Sequence, residues 1–157
     1  MLSQFQSYLT FENIFLWTNI GVLPFWLMLI LIPNARVTQI FVNSIILPLI
    51  LASAYCYIIY ETILLDEPIL DIIKIHLSLD NLYTVFAIES FLLVFWLHFI
   101  ALGLFLGSWV SRDAVKFNVP RRLVFVPLIL IYFTGPVGLI LYWMIRIFFA
   151  KKLGLHD

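Results

Sequence analysis

The chain has few charged residues and a single cysteine, and both shortages restrict the class of protein. Only 11% of its 157 residues are Asp, Glu, Lys or Arg, against about 25% in an average soluble domain. A globule of this size exposes much of its surface, and so few charges cannot cover it. Cys56 alone cannot form a disulfide framework. Nine basic residues balance nine acidic ones, so nucleic acid is not an expected partner.

Apolar and aromatic residues take the place of the missing charge. The chain is 64% hydrophobic, whereas soluble domains are about 45–50% apolar. Its 15 Phe, 7 Tyr and 5 Trp exclude an intrinsically disordered chain. The composition predicts an integral membrane protein that has the lipid bilayer as its main surroundings.

Four long uncharged stretches lie between the charged residues, and each is 22 to 24 residues long. They are residues 13–35, 37–60, 90–111 and 123–145. A spanning helix needs about 20 residues. The sequence therefore predicts an all-α membrane protein, one domain over residues 1–157, with four transmembrane helices in a small bundle. Allowing for helix ends, the predicted spans are 13–35, 37–60, 84–110 and 123–147.

The loop between the second and third predicted spans is acidic and contains an amphipathic segment. Apolar residues lie among charged ones over residues 69–77, which predicts a short helix in the membrane interface. The basic residues divide four against five between the two sides of the predicted bundle, so the positive-inside rule does not decide its orientation.

Two ionisable residues, Glu89 and His98, fall within the third predicted span. Such residues are costly in hydrocarbon and mark a candidate site. Nine helical residues separate them by about 13.5 Å and leave them on opposite faces. The alternative is that Glu89 is solvated at headgroup depth and that His98 bridges two helices by hydrogen bonds. No other span contains a histidine, and His76 and His156 lack partners at metal-ligand spacing, so no metal or other cofactor is expected.

Small residues and prolines mark the expected helix contacts. Gly103 and Gly107 form a GxxxG pair that favours close helix packing, or a homo-oligomer contact. The run Gly135-Pro136-Val137-Gly138 predicts a kink or break in the fourth span. The side chains that we expect to line a pocket near these features are Ser53, Tyr57, Trp96, Tyr132 and Thr134. Anchoring at the membrane interface explains Tyr57 equally well.

The order of several short motifs resembles the abscisic-acid-deficient-four-like membrane proteins, a family that includes the plant neoxanthin synthase. The motifs begin with Leu23-Pro24-Phe25-Trp26 and Pro33-Asn34-Ala35-Arg36, and continue with Glu89, Trp96-Leu97-His98, Leu104-Phe105, Asp113, Arg122 and Gly135-Pro136-Val137-Gly138. The resemblance covers about Leu23 to Arg146. In the plant pattern an acidic residue follows the histidine by five positions, where this chain has Gly103.

The resemblance implies isomerisation of a carotenoid epoxide to an allene, which needs an acid and a base. The candidate catalytic residues are Glu89, His98 and Asp113. The first thirteen residues contain no Lys or Arg, so no signal or transit peptide is expected. We therefore expect a multi-pass protein of a bacterial cytoplasmic membrane. The alternatives are a non-catalytic protein that binds an apolar lipid or pigment, and a structural protein that packs through Gly103 and Gly107.

Overall fold

A computed structural model describes residues 9–44, 46–64, 76–151 and 154. The described residues form seven α-helices and no strand, which confirms the all-α prediction for this part of the chain. The helices are α1 (Phe11–Leu31), α2 (Arg36–Phe41), α3 (Ile46–Leu64), α4 (Leu79–Phe86), α5 (Glu89–Lys116), α6 (Arg121–Thr134) and α7 (Pro136–Ala150). Most of the predicted interfacial helix over residues 69–77 lies outside the described residues.

Two of the described helices, α1 and α5, are long and apolar enough to cross a membrane. They have 21 and 28 residues, and Pro24 lies inside α1 without ending it. The apolar part of α3 (Leu49–Thr62) and the whole of α7 are shorter. The number of four transmembrane helices therefore stays a prediction.

The predicted span 37–60 is divided into α2 and α3. The backbone N–H groups of Val42 and Asn43 both donate to the carbonyl of Thr38, at 2.9 and 3.0 Å, which closes α2. The Ser44 hydroxyl then accepts the backbone N–H of Ile46 at 3.2 Å, which satisfies a free donor in the first turn of α3. Because these local hydrogen bonds end α2 and begin α3, two helices occupy the region for which the sequence predicts one span.

The predicted span 123–147 is likewise not one helix, because the chain folds back between α6 and α7. Gly135 separates them with a φ of 63°, and Pro136 begins α7. A Cβ atom added to Gly138 would lie 2.5 Å from the carbonyl oxygen of Pro127. In one continuous helix these two residues, eleven positions apart, would be separated by about 16 Å along the helix axis. Helices α6 and α7 therefore form a tight hairpin. The break predicted for Gly135-Pro136-Val137-Gly138 is present, and it folds the chain back instead of bending one continuous span.

The described residues belong to two compact units. The first unit lies within Met1–Gly21 and Leu49–Ala101, and the second within Val22–Pro48 and Leu102–Asp157. Helices α1, α3 and α5 contribute residues to both. The core of the first unit contains Ile14, Ile58, Leu93 and Leu97. In the second unit the fully buried side chains include Val110, Ile131, Tyr142 and Arg146.

Candidate functional site

An open cavity of 510 Å³ in the first unit, which we call the Glu89 groove, lies between the beginnings of α1 and α5. Its apolar lining residues are Phe11, Phe15, Leu92, Leu93 and Trp96. Two carboxylates, Glu12 and Glu89, complete the lining. The groove therefore combines a long apolar wall with acidic groups, a combination that accommodates an apolar ligand and a proton donor or acceptor.

Neighbouring polar and aromatic groups hold the Trp96 ring. Its indole Nε1 donates to Oδ1 of Asn19 at 3.2 Å, and the side-chain nitrogen of Asn19 donates to the carbonyl of Phe15 at 2.6 Å. The Trp96 ring lies 5.9 Å from the ring of Phe15 and stacks on Phe99 at 5.5 Å. Because the indole N–H is satisfied, the ring is fixed as a flat apolar wall of the Glu89 groove.

Both carboxylates of the Glu89 groove lie in the first turn of a helix. Glu12 is in the first turn of α1, and Glu89 is the first residue of α5. A negative charge is favoured there by the helix dipole and the free backbone N–H groups. Both side chains are exposed. The sequence singles out Glu89 because it lies near the start of the third predicted span, whereas Glu12 served only to mark the beginning of the first uncharged stretch.

The structure does not bring His98 to the Glu89 groove. His98 is exposed, and the nearest described ring contact of its imidazole is with Tyr55 at 6.4 Å between centroids. Glu89 lines the groove and His98 does not. Their joint role in proton transfer therefore stays a prediction without structural support.

The remaining predicted pocket residues lie elsewhere. The hydroxyls of Ser53 and Thr134 donate to backbone carbonyls of their own helices, at 2.8 and 2.7 Å. Tyr57 packs against the core of the first unit. In the second unit, Tyr132 contacts Trp26 edge to face at 5.4 Å. Of the five predicted residues only Trp96 lines the Glu89 groove.

Gly103 and Gly107 are buried in the second unit beside Trp26. A Cβ atom on Gly107 would lie 2.7 Å from the Trp26 ring, whereas one on Gly103 would lie 3.9 Å from it. The pair thus lets a large aromatic side chain of α1 approach α5 closely, as expected for small residues in helix packing. A homo-oligomer contact through the same glycines stays a prediction.

A buried charge cluster of Asp113, Tyr142 and Arg146 joins α5 to α7 in the second unit. Nε of Arg146 and the hydroxyl of Tyr142 donate to the same carboxylate oxygen of Asp113, at 2.7 and 2.6 Å. The Arg146 side chain is 1% exposed and that of Asp113 is 8% exposed. The Arg146 guanidinium also lies 4.6 Å from the Phe117 ring centroid, a favourable cation–π distance.

Sequence reasoning singled out Asp113 but missed both of its partners. Tyr142 and Arg146 are four residues apart, so they share one face of α7, and this spacing is the signal that would have found them. Because its carboxylate is engaged by two donors, Asp113 has the surroundings of a structural ion pair. Its catalytic role stays a prediction.

Comparisons with known proteins identify one family. Residues 13–142 match the family described as ABA DEFICIENT 4-like. No curated protein and no solved structure matches the chain. The match spans most of the chain, begins at residue 13 in the first turn of α1 and ends at Tyr142 in α7. The resemblance read from the sequence is thereby confirmed, and the chain belongs to the ABA DEFICIENT 4-like family.

Proposed function

We propose that this protein spans the membrane several times and binds a long apolar ligand, a carotenoid or another isoprenoid, in the Glu89 groove. The groove itself is the observation that carries the proposal. Its volume of 510 Å³ lies in the range of about 300–1,000 Å³ that is usual for ligand sites. Phe15 and Trp96 offer flat surfaces to a polyene, and the open side of the groove admits a ligand too long to be enclosed.

The chemistry that fits this site is an isomerisation by proton transfer. One carboxyl group donates a proton to an oxygen of the ligand, and the other carboxylate removes a proton from a neighbouring carbon, so that no atom is gained or lost. Glu89 and Glu12 are the groups for these roles, because both line the groove and His98 does not.

A non-catalytic binding protein is the second candidate. Its support is that the acid and base predicted from the sequence, Glu89 and His98, do not share a cavity. A protein of this kind needs the apolar wall of the Glu89 groove but no proton transfer. Ligand binding and ligand conversion must therefore be measured separately.

The binding experiment uses the purified protein in detergent and violaxanthin, a carotenoid that carries epoxide groups. Replacing Leu92 by Trp fills the groove, and we expect it to weaken binding about tenfold, since overpacking a site costs about 1–3 kcal/mol. Leu102→Trp is the matched control, because Leu102 is an exposed leucine of the same helix outside the groove. Equal binding by the two variants would remove the groove from consideration.

Conversion is then followed by chromatography of the extracted pigment. For the isomerase we expect Glu89→Gln to retain violaxanthin binding and to lose conversion by at least about a hundredfold, the usual contribution of a general acid or base. Glu61→Gln, which removes a carboxylate from α3 outside the groove, is the control. Binding without conversion in the unmodified protein would favour the second candidate.

A further inference from the structure

A second cavity, of 290 Å³, lies in the second unit and differs from the Glu89 groove in its polarity. Its polar lining comes from Asn43, Ser44, Ser108 and Arg112, and we call it the Arg112 pocket. The side chains of Leu104 and Phe105 form part of its apolar wall. The family resemblance assigns nothing to this pocket, and its proposed ligand rests on the proposed membrane span of α5 but not on the Glu89 groove.

The amide of Asn43 is oriented but only half satisfied. Its Oδ1 accepts the hydroxyl of Ser108 at 2.6 Å. Its Nδ2 is buried and has no hydrogen-bond partner among the described residues. A buried donor without a partner is unfavourable. Because Asn43 lines the cavity, a small turn of its side chain would bring this nitrogen to a ligand's acceptor atom, which would be stabilised there.

Arg112 places a positive charge beside this donor. Its side chain is exposed, and its Nε lies 3.4 Å from the carbonyl oxygen of Ser108, which holds the guanidinium near the cavity. Among the described residues that line the cavity there is no carboxylate. The next residue, Asp113, is engaged by Arg146 and Tyr142. The pocket therefore presents donors and one positive charge to an acceptor.

We propose that the Arg112 pocket binds the phosphate group of a membrane lipid. An arginine fork and an amide N–H suit phosphate oxygens, and the apolar wall suits the first carbons of the lipid chains. Arg112 lies one turn before the end of α5, which is long enough to cross a membrane. Such a position corresponds to headgroup depth, where a phospholipid carries its phosphate.

The experiment measures binding of a fluorescent phosphatidic acid to the full-length protein in uncharged detergent. The matched probe is a fluorescent diacylglycerol, which has the same chains but no phosphate. We expect Arg112→Gln and Asn43→Ala each to weaken phosphatidic acid binding about tenfold, since each removes a hydrogen bond to a charged group. Arg122→Gln, which removes an exposed arginine outside the pocket, should bind as the unmodified protein does.

Each result either supports or overturns the proposal. Loss of binding in the two pocket variants, with circular dichroism and thermal unfolding equal to those of Arg122→Gln, supports it. Equal binding of phosphatidic acid and diacylglycerol overturns it, as does unchanged binding by Arg112→Gln. Displacement of the lipid probe by inorganic phosphate at a similar concentration would also overturn it, because the site would then recognise free phosphate.

Discussion

The most completely buried charge that the structure describes is on Arg146, and the environment of this residue explains how it is tolerated. Asp113 supplies the opposite charge at 2.7 Å, and the rings of Phe117 and Trp143 lie 4.6 and 5.0 Å from the guanidinium carbon. Burying a pair of charges has a desolvation cost that can equal their attraction. Removing only one of the two leaves an uncompensated charge and is therefore the more damaging change.

We expect Arg146→Met to lower the free energy of unfolding by about 3–5 kcal/mol, the usual effect of breaking a buried pair. The measurement is thermal unfolding in detergent, followed by tryptophan fluorescence. Arg122→Met is the control, because Arg122 is exposed. The double variant Asp113→Leu/Arg146→Met should recover most of the loss, because it leaves no unpaired charge. If Arg146→Met and Arg122→Met unfold alike, the pair is not structurally important.

A candidate site residue can be recognised in the sequence only where its charge or polarity differs from that of its neighbours. Glu89 stands out because it lies at the edge of a long uncharged stretch, and the structure places it in a groove. Arg146 resembles an ordinary charge at the end of such a stretch. Its pairing with Asp113 depends on the fold-back at Gly135, where the sequence predicts a kink or break but not the direction in which the chain continues.

At the scale of helices, two glycines, Gly135 and Gly138, determine the hairpin of α6 and α7. Gly135 adopts a φ of 63°, which glycine tolerates more readily than other residues. One turn later, Gly138 lies against the backbone of Pro127 and Ile131. Because a side chain at position 138 would collide with backbone atoms, the contact cannot be relieved by moving a flexible group.

We expect Gly138→Ala to destabilise the protein by about 1–3 kcal/mol, the usual cost of overpacking. Gly21→Ala is the matched control, because a Cβ atom there meets nothing within 4 Å. In the exposed interior of α1 it should stabilise the protein by about 0.5–1 kcal/mol. Thermal unfolding of both variants in the same detergent tests the difference. A Gly138→Ala protein as stable as Gly21→Ala would contradict the close contact in the hairpin.

Helix type and approximate position could be predicted from uncharged length, whereas helix ends could not. Helix α1 begins two residues before its predicted span and ends four residues before the end of that span, and Pro24 inside it does not end the helix. The break after α2 depends on two N–H groups that share the Thr38 carbonyl. A hydropathy pattern does not contain the information for such local backbone hydrogen bonds.

For the whole molecule, the fold-back affects the proposed number of membrane spans. Helices α6 and α7 have 14 and 15 residues, which extend about 21–22 Å, whereas a bilayer core is about 30 Å thick. The predicted single span 123–147 would put Arg146 on the far side of the membrane from Asp113. Their direct ion pair requires the same depth.

The hairpin therefore predicts that both of its ends lie on one side of the membrane. In a Cys56→Ser background, we expect Arg122→Cys and Lys151→Cys to react with an impermeant maleimide from the same side of sealed vesicles. Both positions are exposed. Thr10→Cys and Asn34→Cys, which flank the two ends of α1, should react from opposite sides and show that the assay distinguishes them. Labelling of positions 122 and 151 from opposite sides would mean that residues 123–147 cross the membrane as a single span after all, and the Asp113–Arg146 pair would then have to break on insertion.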